Sequence, residues 1–319
     1  MLYPFKFNHI YIEKIWGGRD LLLYHENIPD DNIGESFDVS CFKDNESVVT
    51  NGEYVGITLS DLIDQFGQDI VGNKVSLDDF PIMLRLVNPR EKLSVQVHPT
   101  DEYAKLKGMQ CGKLEAWYVM ETFENPYLYY GTHDCTLEEF KQAVVDDTVE
   151  KYLTHYTVKK GDVFLIPCGM VHAMGHDLVM LEIGQNSNTT YRIHDYGRGR
   201  PLDIEDALNV VNINQEGGLK KPITIQENGY ERNIYFSNEK FAWERLDIDS
   251  ELNTTSDLER FCVYTCVKGN CIIKYANNKR EYLKCGESIL IPSCLGDYKI
   301  QGEVQLLKSY VPDMNAINS

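Results

Sequence analysis

The residues of this chain whose types and spacing could do chemistry begin at Lys92–His98, KLSVQVH, where Leu93, Val95 and Val97 alternate with Ser94, Gln96 and His98. Successive side chains of a β-strand point to opposite faces, so this pattern buries one face and lines a hydroxyl, a carboxamide and an imidazole along the other. Carbonyl oxygen and imidazole nitrogen both ligate divalent metals. Taken alone, the triplet also fits a half-exposed strand with a polar outer face. Further on, KLEAWYVM (113–120) puts Glu115, Trp117 and Val119 on one strand face, with Lys113 on the same face two residues earlier. A third pattern, Gly161-x5-Pro167-x-Gly169-x2-His172, reads as a glycine turn, a strand ended by proline, a second turn and a histidine.

The elements that must hold these groups are mostly short strands. PIMLRLV (81–87) reads as a buried strand and, across Asn88-Pro89-Arg90-Glu91, is expected to pair with 92–98 as a hairpin. Leu59, Leu62, Ile63 and Phe66 form an amphipathic helix closed by Gly67; Thr100 caps a brief helix to about Lys107; Thr136-Leu-Glu-Glu139 is a capping box. Asp177–Gly184 and Tyr191–Ile193 are strands, and Asp203 is expected to cap a last helix carrying Ile204, Ala207, Leu208 and Val211. From Pro222 onward only short strands are expected, and residues 213–221 read as a linker.

Composition narrows the function. The chain has 319 residues, 43% hydrophobic and 25% charged, enough for two domains. A formal net charge of −18 argues against a general nucleic-acid role, and an anionic ligand would need a local cluster of cations. No run of residues reaches the ~18 apolar positions of a membrane span, and the start MLYPFKFNHIYIEKIWGG lacks a secretory pattern, so a cytoplasmic protein is expected. Nine cysteines, none in a CxxC pair, read as free thiols in buried strands.

The polar-faced QVH strand and the Gly161–His172 pattern resemble the two motifs of the cupin fold. More specifically, LSVQVHPTDEYA (93–104), GKLEAWYV (112–119), GDVFLIPCGMVHAMG (161–175), NSNTTYRIHDYGR (186–198), WGG (16–18) and GESFDVS (34–40) resemble the type I mannose-6-phosphate isomerases, in their short bacterial form. The resemblance implies a mainly β fold: two cupin-like antiparallel β-barrels or jelly rolls, with a few short helices inserted in the N-terminal half. A catalytic metal-binding domain would span 1–215 and a degenerate, metal-free cupin 216–319. In the latter, Gly286-x5-Pro292 repeats the second-motif frame, but Tyr298 and Lys299 stand nearest the ligand position.

By the same resemblance, Gln96, His98, Glu115 and His172 would hold one Zn²⁺ per chain. Two neutral imidazoles, an amide and one carboxylate leave the ion about one net positive charge, which suits a Lewis acid. Lys113, beside that cation, would have its pKa lowered towards the range useful for general acid–base work. Arg192 and Glu182 are the other catalytic candidates, and Ser94 and Arg85 are candidates for substrate binding. Relatives often carry lysine where Arg85 stands and aspartate where Asn188 stands, so no proton transfer is assigned to Asn188. The implied reaction is interconversion of mannose 6-phosphate and fructose 6-phosphate through a cis-enediol(ate). The expected partner is a small phosphosugar, with no nucleic acid or membrane, in a monomer or homodimer. A non-catalytic bicupin that binds sugar or metal is the alternative, and an iron-dependent oxygenase a third reading; Lys113 and Arg192 speak for the enzyme, and Gln96 would be superfluous in the oxygenase.

Overall fold

The continuous apolar run IMLRLV forms a strand, Ile82–Val87, buried along its whole length, as such runs are when both faces are covered. It lies at the middle of a six-stranded antiparallel sheet in the order Ile10–Gly18, Ile33–Val39, Ile82–Val87, Leu178–Gln185, Glu115–Thr122, Val163–Ile166. A five-stranded sheet faces it, in the order Tyr191–His194, Val95–Val97, His172–Met174, Tyr127–Thr132, Leu153–Thr157. The computed structural model describes residues 1–215 and 218–312.

The expected hairpin between 81–87 and 92–98 does not form. Both edges of Ile82–Val87 are taken by Ile33–Val39 and Leu178–Gln185. The intervening loop is drawn away, with the Arg90 and Glu91 amides donating to Trp16 O and the Leu93 amide to Met174 O, so the chain crosses to the other sheet. The strand there is only Val95–Val97, with Ser94 and His98 just outside it and Pro99 ending it.

The helices are short and capped largely as expected. Thr58 accepts from the Asp61 amide at the start of Leu59–Phe66, which ends at Gly67 with φ +50°. Thr100 caps Asp101–Leu106, and the Thr136/Glu139 capping box opens Leu137–Val145. Asp203 departs from expectation. It makes no capping bond to Ile204–Val210, because its Oδ2 accepts instead from the Arg192 amide at 3.0 Å.

Among the described residues, every element after Val210 is a strand. A second antiparallel barrel is built around the long strand Cys262–Tyr275, which pairs with Lys279–Lys284, Ser288–Ile291, Asp297–Gln301 and Val304–Tyr310. All nine cysteines are free thiols, as anticipated, but only Cys262, Cys266 and Cys271 are buried in a strand; the other six are half-buried in loops and turns. Within the expected linker, the Lys220 amide donates to Val163 O at 2.8 Å and Leu219 bridges Phe164. Glu216 and Gly217, and with them the expected boundary, lie outside the described residues. The two barrels share apolar core: Phe5, Leu59 and Leu84 belong to one buried cluster with Trp243, Phe261 and Leu290. Phe5 and Leu290 exchange both backbone hydrogen bonds, at 2.8 and 2.9 Å.

Candidate metal centre and active site

Register brings the predicted ligands together. Gln96 stands opposite His172 on the neighbouring strand and opposite Arg192 on the other side. Glu115 begins a strand of the facing sheet, opposite Ile166 and Gly184. His98, Glu115 and His172 are all fully buried.

Each imidazole is oriented by its Nδ1. That of His98 is 2.8 Å from Thr189 O, and that of His172 is 2.8 Å from Met170 O. A carbonyl only accepts, so each Nδ1 carries the proton and each Nε2 is left as a bare lone pair. The two Nε2 atoms are 3.2 Å apart and lie 3.4 and 3.5 Å from Glu115 Oε1. Glu115 Oε1, the oxygen facing both rings, has no hydrogen-bond partner. Three convergent lone pairs with no proton among them repel one another unless a cation sits between. The spacing fits one: a tetrahedral ion with ~2.0–2.1 Å bonds holds its ligands about 3.3 Å apart. The Gln96 amide nitrogen is 3.3 Å from His172 Nε2, and a half-turn of that amide presents its oxygen to the same point.

The electrostatics agree. Burial, reinforced by the facing His98, lowers the His172 pKa to about 3, and burial and Lys113 lower that of His98, so both stay neutral as ligands must. Burial alone would raise the Glu115 pKa, but Lys113 and the two histidines hold it well below the usual carboxylate range.

A buried chain of charge continues from these three residues. Lys113 Nζ is 2.5 Å from Glu115 Oε2, 3.4 Å from His98 Nε2 and 3.5 Å from Glu182 Oε1, with no exposed surface. Lys113 therefore reaches the site as its strand face implies, although the strand proper starts only at Glu115. Glu182 receives Arg85 Nε and Nη2 at 2.9 and 2.8 Å and Trp117 Nε1 at 3.3 Å. Burial raises the Glu182 pKa, Arg85 opposes that, and the nearby Glu115 charge adds to it. Arg85 also reaches Glu35 at 3.3 Å and Asn188 at 3.3 Å, so its guanidinium is committed to this interior network. Arg192, half-buried, donates from Nε to Ser94 Oγ at 3.2 Å and from Nη1 to Pro201 O at 2.8 Å.

Sequence reasoning missed three participants. The carbonyls of Thr189 and Met170 leave no side-chain signal. Glu35 lies within GESFDVS, which was singled out as a motif but without a role for its carboxylate. A second group, His9, His25 and Asp38, also gathers nitrogen and oxygen atoms. There the two rings stack at 3.6 Å with planes 22° apart. A ligand lone pair lies in its ring plane, so near-parallel rings cannot both aim at one ion. That group is better read as a hydrogen-bonded cluster, with His9 Nδ1 2.8 Å from Asp38 Oδ1.

Residues 5–126 match the family model for the catalytic domain of type I phosphomannose isomerase, and residues 231–311 that for the cupin domain of mannose-6-phosphate isomerase. The crystal structure of mannose 6-phosphate isomerase from Bacillus subtilis superposes with a TM-score of 0.90 at 30% identity, covering 97% of this chain and 99% of that one. Mannose-6-phosphate isomerase ManA of the same organism is 29% identical over 97% of this chain and 99% of its own length. The mannose-6-phosphate isomerase of Streptococcus mutans is 29% identical over 93% and 95%.

Proposed function

This chain belongs to the type I phosphomannose isomerase family, and on that premise we propose that it is a zinc-dependent isomerase interconverting D-mannose 6-phosphate and D-fructose 6-phosphate through a cis-enediol(ate). The observation that carries this reading is the convergence of His98, His172 and Glu115 lone pairs beside a buried lysine. Gln96, His98, Glu115 and His172 would hold one Zn²⁺, which when bound supplies Lewis acidity towards the sugar oxygens. A site of four thiolates would carry net negative charge and could not do so.

The chain's own groups divide the remaining work. A proton must leave C2 of the aldose and return to C1 of the ketose. Lys113 and Glu182, 3.5 Å apart, are the two groups proposed to carry it. Arg85 fixes Glu182 in place. Arg192 cannot act as a base, but its planar fork suits a phosphate or enediolate oxygen, and Ser94 Oγ beside it is a second donor. With a net charge of −18, the overall field repels a phosphosugar, so these local groups must bind it. Binding energy from the phosphate can then orient the distant C1–C2 end. The division into a catalytic unit, 1–215, and a metal-free one, 216–319, is supported by the separate family matches. Nine free thiols suit a reducing, cytoplasmic setting.

The test is to supply each sugar to the purified protein with Zn²⁺ and again after chelation. Isomerisation of the 6-phosphates, abolished by chelation and far weaker with free mannose and fructose, is expected. Equal efficiency on free sugars would remove the phosphate from the mechanism. Absence of isomerisation with metal bound would favour the non-catalytic sugar- or metal-binding bicupin.

A further inference from the structure

The strand order Ile223–Glu227, Tyr230–Ser237, Ala242–Ile248, Val304–Tyr310, Cys262–Tyr275, Ser288–Ile291 of the second barrel repeats the six-stranded sheet of the first, and its register allows residue-by-residue comparison. In the first barrel Glu115 faces Ile166, Glu182 faces both Trp117 and Arg85, and Glu35 faces Val87. In the second, Cys262 faces Ile291, Lys308 faces both Tyr264 and Glu244, and Arg232 faces Leu246. Ile166 and Ile291 each stand five residues after the glycine of the Gly-x5-Pro frame. Cys262 thus occupies the position of Glu115, Lys308 that of Glu182, Glu244 that of Arg85 and Arg232 that of Glu35. Arg260, two residues before Cys262, stands where Lys113 does. Tyr298, whose hydroxyl is 2.9 Å from that of Tyr264, takes the place of His172 beside Trp117.

The substitution inverts the sign of the site. Around the metal centre, three carboxylates (Glu35, Glu115, Glu182) outnumber two cations (Arg85, Lys113), the balance a dication requires. The equivalent set in the second barrel has three cations (Arg232, Arg260, Lys308), one carboxylate (Glu244) and a neutral thiol and phenol. These side chains line a partly open cavity of about 210 Å³, in which the charged lining groups are Arg232, Arg260, Lys308 and one carboxylate, Asp257, beside the phenols of Tyr298 and Tyr310. At ~30 Å³ per water, that is room for roughly seven waters, enough for a phosphate and a few further atoms. Glu244 is buried behind the cavity wall, where it pairs with Arg232 and, at 3.4 Å, with Lys308. One carboxylate between two cations leaves donors of both facing the cavity. Arg260 is countered by Asp257 at 3.3 Å and Glu259 at 2.7 Å, both about half exposed and so screened by water.

We propose that the second barrel is an anion site, in which Arg232, Lys308 and Arg260 bind a phosphate monoester or phosphate ion at the place where the first barrel binds its metal. It is separate from the catalytic centre and would give the chain a second phosphate-recognising pocket.

The test is calorimetric titration of the zinc-loaded protein with inorganic phosphate and, separately, with fructose 6-phosphate, in wild type, Lys308→Met and Arg232→Gln. Tenfold or greater weakening of one binding event in both variants, with kcat at saturating substrate unchanged, is expected. Binding of the ester alone identifies a phosphorylated metabolite as the occupant, and binding of both identifies the bare oxyanion as sufficient. Isotherms for both probes that are the same in wild type and variants overturn the proposal, as does absence of any event beyond the catalytic one. Should either variant fail to fold, Arg260→Gln, whose side chain also lines the cavity, gives the same readout. Because the variants lie outside the catalytic centre, loss of isomerase activity in wild type would refute the proposed function without touching this result.

Discussion

Replacing Lys113 by Met separates proton transfer from metal binding. Lys113 Nζ is 3.4 Å from His98 Nε2, and its charge has no water to screen it. An ion bound by His98, Glu115 and His172 would lie on the order of 4 Å from that ammonium; for one unit and one double charge, Coulomb's law gives about 2 kcal/mol of repulsion even at the dielectric constant of bulk water. Each 1.4 kcal/mol is a factor of about ten in affinity. Lys113→Met should therefore bind Zn²⁺ at least about tenfold more tightly, read by competition with a chelator, while turnover of mannose 6-phosphate disappears. The metal-free variant should be destabilised, because Glu115 loses the cation 2.5 Å away, and breaking a buried ion pair costs roughly 3–5 kcal/mol. Adding Zn²⁺ should restore its thermal midpoint by mass action. Loss of metal together with activity would refute the reasoning, since Lys113 would then serve the ion site and not the proton.

His172→Ala should lose the metal by elemental analysis, while Cys271→Ser, in the second barrel, keeps it; two ions in the wild type would contradict the single-metal reading. Arg192→Ala should lower kcat by about 10² or more, the scale of losing one transition-state donor. A rise in KM alone would make Arg192 a phosphate anchor acting equally in ground and transition states. Asp101 supplies a pH test: burial works against its charge, but Lys240 at 2.6 Å, Gln185 and the Gly112 amide lower its pKa to about 2. A depressed carboxylate pKa contributes stability that is fully present above its unfolded value near ~4 and is lost as pH falls through the folded one. The melting difference between wild type and Asp101→Asn should accordingly hold at neutral pH and vanish towards pH 2; a difference that stays constant over that range would exclude the link.

The proposed ligand set was legible through the family resemblance, which short local motifs carry. Val95 and Val97 had to join an apolar layer, in the structure the one under the helices, which placed Gln96 and His98 on the face towards Glu115, and the glycine and proline around 161–169 announced the turn before His172. What could not be read was partnership. Alternation shows which way a strand faces but not which strand it joins, so Ile82–Val87 was assigned the nearest neighbour in sequence instead of Ile33–Val39 and Leu178–Gln185. The same holds for Glu35, Arg85 and Glu182, far apart in the chain and joined only by cross-sheet register. Asp203 shows a local rule overridden: the residue type was right for a cap, but the Arg192 amide offered its side chain a different partner. The inverted charges of the second barrel carry no motif, and emerge only when the two registers are laid side by side.

The bridge between Phe5 and Leu290 bears on how this molecule is made. Synthesis proceeds from the N-terminus, so Leu2, Tyr3 and Phe5 leave the ribosome long before Leu290 and find their place only after it has followed. At roughly 5–20 residues per second, that interval lasts on the order of 15–60 seconds. During it, this apolar segment is without its final cover, and pairing of such sequence distance is intrinsically slow to close. The first barrel can therefore condense early, but its seal against Leu290 is set only once the second barrel has been translated.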